Sequence, residues 1–200
     1  MIVKIDVLQS AVNKLLDHAK EVEGENIAIH ADYYWFVPME SVYEPDARPD
    51  CHTLGSLWDD WSEMEGIERG SRDALGYPLV WASALLRAVG EGVPCSGSSV
   101  GGEAALIVKI EVLQSAVNKL FDHAREVEGD SIDIDVDCYW FVPMDLIYEI
   151  DARPDRHTLG SLSADWSAME GVERGSRDAL GYGLVWASAL LRAVGERVRW

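Results

Sequence analysis

The chain has 200 residues, is 48% hydrophobic, and carries 35 acidic against 17 basic residues, a net charge of −18. The apolar content excludes a disordered chain. The carboxylate surplus opposes direct binding to nucleic acid or to an anionic membrane, both of which need basic surfaces, and the longest apolar run, around Leu79–Val89, is broken by Ser83 and Arg87 and is too short to cross a bilayer.

Residues 1–93 recur without a gap as residues 106–198, and 72 of the 93 paired positions are identical. Between them, residues 94–105 are rich in glycine and serine, the composition of a flexible linker. Residues 1–93 therefore read as copy one, 94–105 as the linker and 106–200 as copy two. Each copy is near the small end of domain size. The expected fold is α+β and mainly helical, a tandem duplicate forming a pseudo-two-fold fused dimer. Each copy would have about three helices and one long strand, and the strands would pair antiparallel between copies. Closed two-fold assemblies are the commonest oligomers, and a fused duplicate makes one permanent.

In chain order, the first element is a helix. Ile5, Leu8, Val12, Leu15, Ala19 and Val22, with Ile110, Leu113, Val117, Leu120, Ala124 and Val127 in copy two, line one helical face. Gly24 and Gly129 sit where a glycine ends such a helix. Ile132 to Val142 alternates apolar and polar residues, as a half-buried strand does, and Ile27, Ile29, Ala31, Tyr33, Trp35 and Val37 are the corresponding inward set of copy one. Pro38 and Pro143 close the strand. Thr53 and Thr158 are the expected N-caps of a second helix. That helix would bury Leu54, Leu57, Trp61 and Met64 and turn Asp59, Asp60 and Glu63 to water; Ala164, Asp165 and Ala168 are the outer face in copy two. Trp58 becomes Ser163, which places Trp58 at a rim. A last helix starts near Pro78, or Gly183, and ends at Gly90, or Gly195. It is apolar nearly all round, so it is expected at the interface between the copies.

Chemical motifs are sparse. Asp133, Asp135 and Asp137 open like a calcium loop, but Cys138 and Met144 stand where glycine and glutamate are required, so they read as the outer face of a strand. His18, His52, His123 and His157 lack a convergent ligand set and read as surface or capping residues. Arg48, Asp50, Arg69, Arg72 and Asp73 recur and read as loop-bracing ion pairs, and Ser71 as a turn cap. Cys51, Cys95 and Cys138 do not recur between copies, which speaks against a disulfide framework and for a reduced, cytoplasmic setting. Met1-Ile-Val-Lys-Ile-Asp has no signal-peptide pattern.

The aromatic content supplies the candidate site. Tyr34, Phe36, Tyr43, Arg48 and Asp50, with Tyr139, Phe141, Tyr148, Arg153 and Asp155, are the residues expected to bind a partner or ligand. No catalytic residue, metal ligand or cofactor is assigned. The expected function is that of an acidic, non-enzymatic protein-interaction module (inhibitor, immunity or antitoxin-like) that meets a basic protein partner. The chain would be a monomer whose two copies mimic a homodimer. The alternatives are a small-molecule-binding protein or enzyme with an aromatic-lined pocket between the copies, and a structural fused dimer.

Overall fold

The computed structural model describes residues 1–30, 32–35, 54–73, 78–91, 105–140, 159–179 and 182–198. Strand β1 (Ile2–Lys4) runs straight into helix α1 (Ile5–Glu23), and their counterparts in copy two are β5 (Leu106–Lys109) and α4 (Ile110–Glu128). The 3-4 spacing of apolar residues does build the helix. Ile5, Leu8, Val12, Leu15 and Ala19 are buried, joined by Ala11 and Leu16. The stripe stops one turn short of its pattern, because Val22 and Val127 remain exposed. Gly24 and Gly129 close the helices at φ 96 and 88, a region costly for residues with a Cβ. Their N–H groups return to the Lys20 and Arg125 carbonyls at 3.0 and 2.9 Å.

The expected long strand is two short ones with different partners. In copy one these are β2 (Asn26–Ile29) and β3 (Tyr33–Trp35); in copy two, β6 (Ser131–Asp133) and β7 (Cys138–Trp140). The first piece of each pairs antiparallel with the N-terminal strand of the other copy: Ile27 faces Val108, and Val3 faces Ile132. The second piece pairs within its own copy, β3 with β4 (Leu54–Ser56) and β7 with β8 (Leu159–Ser161). Antiparallel pairing between copies is thus present, but its partners are β1 and β5 rather than two long strands. The break falls at Asp32 and Asp137. Their carbonyls leave the ladder to accept the Leu57 and Leu162 N–H groups at 2.7 Å. Period-2 alternation persists across such a break, so the pattern could not reveal the change of partner.

Helices α2 (Leu57–Glu68) and α5 (Leu162–Glu173) follow. They begin at Ser56 and Ser161, whose hydroxyls accept the Asp59 and Ala164 N–H groups at 3.3 Å; Thr53 and Thr158 lie outside the described residues. Asp32 and Asp137 complete the caps. Asp32 Oδ1 accepts from Ser56 Oγ at 2.8 Å and Trp58 N at 3.2 Å. Asp137 Oδ1 accepts from Ser161 Oγ at 3.1 Å and Ser163 N at 2.8 Å. Asp137 is therefore more than a solvated strand residue, and these bonds, led by that from the Ser163 N–H, hold its carboxyl below the ordinary range. At the other end, Ser71 Oγ donates to the Gly66 carbonyl at 3.1 Å, the turn cap expected of it.

Helices α3 (Pro78–Glu91) and α6 (Gly183–Arg197) are buried over most of their surface and pack on each other. Gly195 does not end α6. It lies within the helix, where a Cβ would stand 2.9 Å from Leu79 Cβ and 3.1 Å from Val80 N; the glycine is an approach point for two backbones. Around this pair the packing crosses between copies: α1 lies on α5, α2 on α4, and α1 on α4. One hydrophobic cluster gathers Leu8, Leu15, Leu85 and Ile29 with Leu113, Leu120, Leu190 and Ile132. The fold is mainly helical α+β, with small antiparallel sheets. Among the described residues no helix is long and apolar enough to cross a membrane.

Candidate functional site

Two of the sequence-predicted site residues, Tyr34 and Tyr139, are described, and both are buried. Phe36, Tyr43, Arg48, Asp50, Phe141, Tyr148, Arg153 and Asp155 lie outside the described residues. Strand alternation turns each tyrosine inward, against α2 or α5. There the Tyr139 hydroxyl donates to Asp165 Oδ2 at 2.7 Å, and Tyr34 hydrogen-bonds Asp60 in the same way. Neither aspartate faces water: Asp60 is 5% exposed and Asp165 7%. The solvent-facing role expected of them is overturned, because the phenol behind each gives the carboxyl a partner inside the core.

A glycine makes room for each ring. A Cβ on Gly55 would stand 2.5 Å from Tyr34 Oη and 2.6 Å from Cε1; on Gly160 it would stand 2.5 Å from Tyr139 Cε1 and 2.6 Å from Oη. The result is a layered unit in each copy: glycine on β4 or β8, tyrosine on β3 or β7, aspartate on α2 or α5. Burial pushes the Asp60 carboxyl up to about 7; the Tyr34 hydrogen bond opposes this, and the charges of Asp59, Asp32 and Glu63 add to it. Asp165 rises to about 6, again through burial, with the Tyr139 bond opposing and Asp137 adding. Tyr139 is itself driven far above the ordinary phenol range, by burial first and then by the Asp165 charge. Such a pair can hold a proton near neutrality. In copy one Asp60 Oδ2 is buried without a hydrogen-bond partner.

The sequence held a signal for these aspartates. Their outward helix neighbours change between copies, Trp58 to Ser163 and Asp59 to Ala164, yet Asp60 and Asp165 agree; Ala168, also expected on the outer face, is buried instead. A residue kept inside a drifting face is constrained by something on its inner side.

Arg48 and Asp50, one side of the expected loop brace, lie outside the described residues. On the other side, Arg69 and Arg72 pair with Glu65 and Glu63 of α2, at 3.7 and 3.2 Å. In copy two, Arg177 lies over Trp186, 5.0 Å from the ring centre, and Tyr182 meets the same ring edge-on at 5.6 Å. His18 lines an open cleft of about 490 Å³ with Lys14, Asp17, Glu21, Asp178 and Ala179. Among the described residues, no group of three or more histidine, cysteine or acidic side chains is placed to hold a metal ion. No protein-family model matches the chain, and no curated protein and no solved structure matches it.

Proposed function

We propose that the chain is a pair of like subunits joined covalently, acting as a non-enzymatic, acidic protein-binding module of the inhibitor, immunity or antitoxin kind. Reciprocal contacts support the pairing. Ile5 N donates to the Asp130 carbonyl and Ile110 N to the Glu25 carbonyl, both at 3.0 Å. Asn13 and Asn118 exchange amide hydrogen bonds at 3.0 and 3.2 Å. Lys14 reaches the Val172 and Glu173 carbonyls at the end of α5, as Lys119 reaches those of Ile67 and Glu68 at the end of α2. Each contact is matched by its equivalent with the copies exchanged, as in an isologous interface.

The observation that carries the binding role is where the positive charges go. Lys14 and Lys119 face helix C-termini, where a cation is favoured. Lys20, Arg69, Arg72, Arg87, Arg125, Arg174, Arg192 and Arg197 each meet a carboxylate of the chain itself. With these cations engaged internally, the surplus of −18 sets the field that an approaching molecule meets. The aromatic-pocket alternative gains no support from the described cleft, which is lined by Lys14, Asp17, His18, Glu21, Asp178 and Ala179 and by none of the tyrosines or phenylalanines.

Two measurements test this reading. Residues 1–93 expressed alone should form a folded homodimer by light scattering; a folded monomer would refute the pairing. The full chain, immobilised, should retain a basic protein whose binding weakens steeply with salt; retention indifferent to salt would remove the electrostatic role.

A further inference from the structure

We infer that the chain binds its partner on one side only, at the junction of β3 with the start of α2 in copy one, and that the occupant is an arginine-rich segment of another protein. This rests on the acidic-binding reading above and adds its location, stoichiometry and chemistry.

The junction is built around Asp32, whose carboxylate accepts the Ser56 hydroxyl and the Trp58 N–H. Tyr33 follows Asp32 and pairs in register with Ser56. Alternation that buries Tyr34 turns Tyr33 outward, 48% exposed, and Trp58 on the first turn of α2 is 44% exposed. Asp59 lies beside Trp58, also exposed. Asp32, Asp59 and Glu63 all act electrostatically on the neighbouring Asp60, so the negative charge is concentrated here. Glu63 is paired with Arg72.

In copy two the same backbone carries Cys138, Ser163, Ala164 and Ala168 in place of Tyr33, Trp58, Asp59 and Glu63. Both exposed aromatics and two of the three carboxylates are gone, while the hydrogen bonds that build the junction remain. The fold therefore does not need the aromatic and acidic groups. Two large aromatic groups left in water beside carboxylates match a guanidinium, which stacks flat on a ring and bonds a carboxylate through a planar fork. Within the molecule itself the Arg177 guanidinium lies over the Trp186 ring, 5.0 Å from its centre. Tryptophan, tyrosine and arginine are also the residues that most often dominate binding energy at interfaces.

The test titrates the full chain with a synthetic peptide of alternating arginine and leucine, by calorimetry. One peptide per chain is expected. The variant W58S/D59A, which gives copy one the residues of copy two, should bind about tenfold more weakly or worse and keep its melting temperature. Equal binding by parent and variant, or two peptides per parent chain, would overturn the location while leaving the acidic-binding reading intact. No binding by the parent would overturn both.

Discussion

Gly55→Ala should disrupt the buried tyrosine–aspartate unit of copy one. The new methyl would stand 2.5 Å from Tyr34 Oη and 2.6 Å from Cε1, where carbon contacts are comfortable at about 3.5–4.0 Å. The ring must shift by about 1 Å. Overpacking of this kind costs about 1–3 kcal/mol, and pulling the hydroxyl from Asp60 costs about 1–3 kcal/mol more. Alanine in place of a strand glycine returns about 0.5–1 kcal/mol. The net loss is about 1–5 kcal/mol, a fall in Tm of about 2–20 °C for a chain this long. Urea unfolding near pH 6 reads it directly. A double-mutant cycle isolates the cause: in a Tyr34→Leu background, with the ring absent, Gly55→Ala should cost less than about 0.5 kcal/mol. If the two substitutions add to within about 0.5 kcal/mol, the glycine is not there to admit the ring and the layered unit is misread.

Other outcomes follow from the same contacts. Asp60→Asn should become progressively more stable than the parent as pH rises. The folded carboxyl titrates near 7 against 3.8 unfolded, so its contribution is complete below about pH 4 and is lost as pH rises through 7. The difference approaches about 4 kcal/mol, and parallel urea midpoints for parent and variant between pH 4 and 8 would expose a flat difference if the carboxyl is not raised. Asp137→Asn has the opposite sense: its folded carboxyl is lowered, so the cap's contribution exists above the unfolded pKa and fades as pH falls through the folded value, and the variant's deficit at neutral pH should shrink in acid. Gly195→Ala forces α6 off Leu79 and Val80 and should cost about 1–3 kcal/mol; an unchanged Tm would count against the close approach. Lys14→Met removes a cation from the end of α5 and should cost about 0.3–1 kcal/mol, less at high salt; a salt-independent loss would point to packing instead.

Elements governed by their own periodicity were legible in the sequence, and elements governed by a distant partner were not. The face of α1, its glycine stop and the burial of α3 all follow from spacing along one stretch. Strand β1 could not be read this way: Ile2, Val3 and Lys4 have too few residues to show a period, and they are a strand only because β6 lies beside them. The Asp32 and Asp137 caps escaped for the same reason, since a helix starting at Leu57 gives no local hint that its capping carboxylate stands 24 residues before Ser56. Asp60 was misassigned because charge implies water by default. The default fails where a buried phenol gives the carboxyl a partner, and the phenol was visible while the contact was not.

The pattern of differences between the copies bears on the two-fold arrangement proposed above. Residues Leu79–Glu91 and Leu184–Glu196 are identical throughout, and they form α3 and α6, which pack on each other. In an isologous contact, one residue type meets its own equivalent's surroundings, so a change in either copy must fit a partner that has not changed. The close approach at Gly195 shows how little room remains there. The start of α2 carries no such restriction. It packs on α4 and α3, and the inward residues of its first two turns, Leu57, Asp60, Trp61 and Met64, are the same in α5, while the outward Trp58 and Asp59 are replaced. At the start of α2 the divergence thus falls on positions where one copy can change without the other, whereas the core differs by exchanges of one apolar residue for another, as at Leu16 and Phe121, both fully buried. The same freedom would let a duplicated chain present a partner with two unlike surfaces while keeping a single symmetric core. A homodimer encoded by one short gene cannot do this, because every outward substitution appears on both sides.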